Sequence, residues 1–184
     1  MKKQTLKKTI LIGFLIILIL ISGCFETTKT NFEQIKNEIN TIQTEQFGSV
    51  NLISNDLDVI QNYLKEIDIE IIKLNKLIKN EEILAGIEYA EYKKNNVKIN
   101  YNLLNAEKYK NLIPKTNYCN TKAYQQAKQF TEQAIESADK TITNYHNLEE
   151  MYPKQFQTLD ETLLPVYAIK TQIENLKEEL IKYC

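Results

Sequence analysis

Ile53, Leu57, Ile60, Leu64, Ile67, Ile71, Leu74 and Ile78 follow one another at spacings that alternate between four and three residues. Apolar side chains at that period share one face of an α-helix and cannot share one face of a strand, so the stretch reads as a helix with a coiled-coil-like seam. The same phase runs back through Phe32, Ile35, Ile39 and Ile42, then lapses at Gln46 and Ser49, where Gly48 weakens a helix. A first helix is expected over 31–46 and a second over 51–79, or one long helix with a defect. Three prolines and four glycines in 184 residues leave little for a loop-rich β fold.

After Asn80 the phase slips, and Ile83, Ile87, Ala90, Val97, Tyr101 and Leu104 begin a new stripe. Asn80 is a plausible cap there, with Glu81 and Glu82 favourable in the first turn. The segment 112–121 reads as a loop, because Pro114 discourages continuation and Asn120 or Thr121 can cap the next helix. A helix over 122–151 places Ala127, Phe130, Ala134, Ala138, Ile142, Tyr145 and Leu148 together, and the small alanines among them suit close helix approach. Pro153 marks a turn. Leu159, Leu163, Val166, Ile169, Ile173, Leu176, Leu180 and Tyr183 form the last stripe, with Pro165 either kinking that helix or starting its main part. The fold class is all-α, an elongated antiparallel helical bundle of four to five helices with coiled-coil-like seams.

The first residues obey a different logic. Lys2, Lys3, Lys7 and Lys8 precede an apolar run of 12 residues from Ile10 to Ile21, and Ser22, Gly23 and Cys24 come next. As a helix that run spans ~18 Å at ~1.5 Å per residue, short of a ~30 Å hydrocarbon core, so the layout is that of an export signal. Ile21-Ser22-Gly23-Cys24 resembles the lipobox of bacterial and archaeal lipoproteins. The resemblance implies cleavage before Cys24, a thioether-linked diacylglyceryl group on that cysteine, and a body on the extracytoplasmic side of the cell membrane. An uncleaved N-terminal anchor would place the body on the same side. Residues 1–23 are then a signal peptide, 24–30 a membrane-proximal tether that reaches at most ~25 Å, and 31–184 the bundle. Two acyl chains anchor stably at ~0.8 kcal/mol per buried CH₂, without help from basic residues.

Lipidation also settles the cysteine count. With Cys24 consumed, Cys119 and Cys184 remain as an even pair in a compartment where disulfides persist. An antiparallel hairpin turning at Tyr152-Pro153 would bring them together, although free thiols remain an alternative. A closed loop of ~65 residues stabilises by ~4 kcal/mol in the chain-entropy model.

Removing residues 1–23 takes four of the 23 basic residues and none of the 24 acids. The mature body would carry about five net negative charges, and no electrostatic pull toward an anionic membrane. Every basic residue is Lys. Without Arg the chain lacks the side chain best suited to bidentate phosphate recognition, so nucleic acid is not an expected partner.

Few residues point to chemistry. The single His146 lies on a helix that already has an apolar stripe, and no local nucleophile or carboxylate pairs with it, so it reads as a partly exposed structural histidine. Two distant cysteines and one histidine make no zinc set, and the chain has no Glu-x-x-His pairs for a di-iron bundle. Glu66, Asp68 and Glu70 alternate with isoleucines and read mainly as a solvated face; Asp56 and Asp58 read as surface or capping residues. No metal, cofactor or catalytic residue is assigned. Tyr89, Tyr92, Tyr101, Tyr109, Tyr118 and Tyr124 crowd about one fifth of a Trp-free chain, as candidate contacts for a ligand or partner. The expected function is a non-enzymatic envelope lipoprotein, structural or presenting helical surface to a protein partner, with oligomerisation open. The alternative is a small-ligand-binding lipoprotein with a Tyr-lined pocket; an unrecognised hydrolase ranks third.

Overall fold

The computed structural model describes residues 30–50, 53–114, 119–182 and 184. Cys24, the export segment, Tyr118 and Tyr183 lie outside them. The described residues form an all-α bundle, with helices α1 (Phe32–Phe47), α2 (Leu57–Asn75), α3 (Glu81–Lys110), α4 (Lys122–Met151), α5 (Pro153–Phe156) and α6 (Leu164–Lys182). No described helix is long and apolar enough to cross a membrane.

The helix ends arise from local hydrogen-bond chemistry. Asn31 and Gln34 form a reciprocal capping box at the start of α1. Gly48 ends that helix at φ 79°, a left-handed conformation costly for other residues, and its N–H donates to the Thr44 carbonyl. The chain therefore turns between the first two seams, and the continuous-helix alternative does not hold. Helix α2 is shorter than its apolar phase suggests. Asp56 caps it by accepting from the Asp58 N–H at 2.9 Å, so Ile53 falls before it. At the other end Asn75 closes on the Ile71 carbonyl and Lys79 on that of Leu74, leaving Ile78 outside the helix and 86% exposed. Asn80 caps α3 and Thr121 caps α4. Pro165 lies in the first turn of α6, where its missing N–H costs no bond.

Successive long helices run antiparallel. Tyr63 of α2 packs on Phe47 of α1. Lys94 of α3 reaches Asp68 of α2 at 2.8 Å, Asn95 of α3 pairs with Asn144 of α4 at 3.0 Å, and Lys170 of α6 pairs with Asp139 of α4 at 2.6 Å. Helix α3 is the axle of this arrangement, ~45 Å long at ~1.5 Å per residue. From Ala85 to Ala106 none of its residues is exposed, so the single apolar stripe read from the sequence describes only part of its buried surface. Helices α1 and α2 cover its first half, burying Phe32, Ile35, Ile39, Ile60, Ile67 and Leu74 around Tyr89 and Val97. Ala134 and Ala138 of α4 join Ile99 and Ile173 in a second cluster, and Ala127 joins Ala106, Leu176 and Leu180 in a third. Each fully buried Ile or Leu contributes on the order of 1.5–3 kcal/mol. At the far end of α4 and α6, Cys119 and Cys184 come within disulfide distance, Cα atoms 5.4 Å apart.

The acidic stretch of α2 departs from the expectation of a solvated face at one position. Glu70 is 6% exposed while Ile69 and Ile72 are 49% and 55% exposed. The helix packs on both α1 and α3, which widens its buried arc to take in Glu70, and Lys73 pairs with that carboxylate at 3.0 Å. Asp68 instead bonds Lys94.

Where α1 crosses α3 the two helices approach closely. A Cβ added at Gly86 would stand 2.5 Å from Cδ1 and 2.8 Å from Cγ2 of Ile35. Cγ2 sits on a β-branched carbon that cannot swing aside freely. Gly86→Ala should therefore destabilise by about 1–2 kcal/mol, overpacking of ~1–3 kcal/mol outweighing the ~1 kcal/mol gained in helix propensity. In an Ile35→Ala background the same change should become neutral or stabilising. Urea midpoints of the four proteins test this; an equal loss in both backgrounds would show that Ile35 is not what the new methyl meets.

Candidate functional site

Helix α3 carries Tyr89, Tyr92 and Lys93, spaced so that all three emerge on one side of the helix. They converge on Glu161, in the segment between α5 and α6. The Lys93 ammonium donates to its carboxylate at 2.8 Å, and the hydroxyls of Tyr89 and Tyr92 donate at 3.4 and 3.3 Å. Tyr89 also reaches Asn40 of α1 at 3.0 Å, and the Tyr145 hydroxyl donates to the Glu161 carbonyl at 3.5 Å. Lys36 of α1 adds a bond to the Thr158 carbonyl at 3.1 Å. One connecting segment is thus held by side chains of α1, α3 and α4.

The side chain of Lys93 is 6% exposed and that of Glu161 22%, so the ammonium is the more fully desolvated partner. Burial pushes the hydroxyls of Tyr89 and Tyr92 well above the ordinary tyrosine value, and the Glu161 charge raises them further. The same causes, in the same order, raise the buried Tyr63 hydroxyl. All three stay protonated at neutral pH; Tyr89 and Tyr92 serve as donors, whereas the Tyr63 hydroxyl is buried without a partner among the described residues. With its carboxylate engaged by an ammonium and two phenols, Glu161 clamps the segment between α5 and α6 to α3.

Beside this clamp opens a cleft of about 200 Å³ lined by Lys36, Asn40, Tyr89, Lys93 and Glu161. Of the other described candidate tyrosines, Tyr101, Tyr109 and Tyr124 lie elsewhere. Tyr92 is buried next to Tyr89. Tyr101 accepts from Gln61 at 2.8 Å and borders a cleft of about 270 Å³ with Lys98 and Asn102. Tyr109 stacks on Phe130 at 5.7 Å, and Tyr124 borders a third cleft of about 210 Å³ between α4 and α6. Successive turns of a long helix carry them to different neighbours, so the described tyrosines share no single pocket.

His146 stands on the surface of α4 with Nδ1 3.3 Å from Glu149. Among the described residues no three His, Cys, Asp or Glu side chains gather as a metal-binding group. Sequence reasoning missed Glu161, Lys93 and Asn40. The only available signal was a lysine set beside two tyrosines on one helix.

Glu161→Gln strands the desolvated Lys93 and should cost about 3 kcal/mol, more than Lys93→Met, whose abandoned carboxylate still reaches water. The double variant Lys93→Met/Glu161→Leu should recover most of the loss; chemical denaturation of the set tests the ordering. A second expectation concerns pH. Folding holds Tyr89 and Tyr92 protonated above their ordinary value of 10.0, so their contribution is full below that pH and is lost as pH rises through it, where only the unfolded chain ionises. Tyr89→Phe/Tyr92→Phe should flatten the alkaline fall in melting temperature, and an unchanged slope would contradict this origin.

Comparison of the chain with protein-family models, curated proteins and solved structures returns no match, so its function has to be argued from these residues.

Proposed function

We propose that the protein is a lipid-anchored envelope lipoprotein, held to the extracytoplasmic face of the cell membrane through Cys24, whose helical body acts as a structural or protein-interaction module rather than an enzyme. The observation that carries the anchoring is the order of basic residues, short apolar run and Ile21-Ser22-Gly23-Cys24. An interaction role for the body draws on its surface. Between α1 and α2 lies an open groove of about 500 Å³ lined by Ile42 and Ile69 together with Glu38, Glu66, Glu70 and Lys73, and Ile72 stands exposed one turn on. Exposed apolar area flanked by charged side chains suits a protein-binding surface. Against a ligand-binding role stands the clamp itself, which fills the most polar tyrosine cluster with the chain's own Glu161.

Intact mass and detergent partition of the natively expressed protein, beside Cys24→Ser, test the anchor. Loss of residues 1–23 with a Cys24-dependent lipid mass and detergent-phase partition is expected; an unmodified full-length chain would sink the reading. For the body, crosslinking in intact membranes should capture a defined envelope protein that Ile69→Asp/Ile72→Asp fails to capture. Equal capture by both would remove the groove from the account.

A further inference from the structure

We infer that the end of the bundle where α1 begins is a membrane-contacting surface, which rests on the bilayer through the side chains of Leu77, Ile78, Leu84 and Met151. The inference rests on the lipid-anchored reading above and specifies which part of the body meets lipid.

Glu82, in the first turn of α3, defines this end. Its carboxylate accepts the Phe32 N–H of α1 at 2.8 Å and the Gln155 amide of α5 at 2.9 Å, gathering three segments. Around it apolar side chains face water: Ile78 is 86% exposed, Met151 62%, Leu84 40% and Leu77 38%. They come from the α2–α3 turn, the first turn of α3 and the last residue of α4, so no single helix accounts for them. At the opposite end Leu112 and Ile181 are likewise exposed, but nothing there connects to an anchor.

Tether length chooses the occupant. Cys24 precedes the capping residue Asn31 by seven positions, which extend at most ~25 Å. The far end of α3 lies a further ~45 Å along the helix. Such a leash keeps the Glu82 end at the bilayer and turns a weak apolar contact into an intramolecular one at high effective concentration. Lys76, Lys79 and Lys154 are exposed nearby, as are Glu81, Glu149 and Glu150. The mixed charge favours no anionic surface by itself, so the contact is apolar, with lysine stems lying along it and ammonium groups among the headgroups.

The test uses the lipidated protein in phosphatidylcholine–phosphatidylglycerol vesicles, with an environment-sensitive fluorophore on Ile78→Cys or, for comparison, on Leu112→Cys. Helical content checks that both variants fold. At position 78 the probe should shift to the blue, be quenched several-fold more by brominated lipid than the probe at 112, and lose access to aqueous iodide. Equal iodide access at both positions on protein that floats with the vesicles would overturn the surface while leaving the anchor intact. Shielding from iodide without quenching by brominated lipid would overturn it in favour of contact with a second copy. Protein that does not float would overturn the anchored reading and this inference with it.

Discussion

A helix with no exposed residue between Ala85 and Ala106 must find partners for the polar side chains it buries there, and α3 buries several. Leaving a buried amide unbonded costs about 1–3 kcal/mol, and an unpaired charge more. Neighbouring helices supply the partners. Asn95 donates to Asn144, which with Asn147 donates to Glu88; Asn102 donates to Ser137; Asn100 reaches the Ser54 carbonyl ahead of α2; Lys93 takes Glu161. Apolar seams tolerate sliding by a heptad at modest cost, whereas these pairs do not, so the polar contacts fix the register in which the apolar faces meet.

The division of labour explains what could be read from sequence. Period and caps located the helices because both are local: Asn80 and Thr121 stand where capping chemistry needs them, and the phase slip at Asn80 is a real turn. Helix α2 ran short of its pattern because Asp56 and Asn75 closed its ends inside the seam, a competition that apolar spacing does not register. The stripe on α3 was incomplete because a helix wrapped on all sides alternates apolar and polar positions without a favoured face. Glu161 was invisible for a related reason. Its partners lie about seventy residues away, and nothing in a loop carboxylate's own neighbourhood announces a distant lysine.

The tyrosines show how composition misleads about sites. Crowded in sequence, they diverge in space because a long helix distributes successive turns to different neighbours. Tyr89 and Tyr92 became part of the clamp, Tyr101 an acceptor for Gln61, and Tyr109 a stacking surface for Phe130. The surface of the body carries a largely apolar groove on one flank and a fringe of exposed apolar side chains at one end.

The position of Glu161 near the C-terminus has a consequence for how the protein comes into being. A chain emerging from its N-terminus presents α1, α2 and α3 long before the carboxylate that neutralises Lys93. Until residue 161 has appeared, closing the core would trap an uncompensated ammonium, and until residue 155 has appeared the carboxylate of Glu82 lacks one of its two donors. Partial chains are thereby discouraged from locking into place. The step that secures the core is thus among the last to become available as the chain is made.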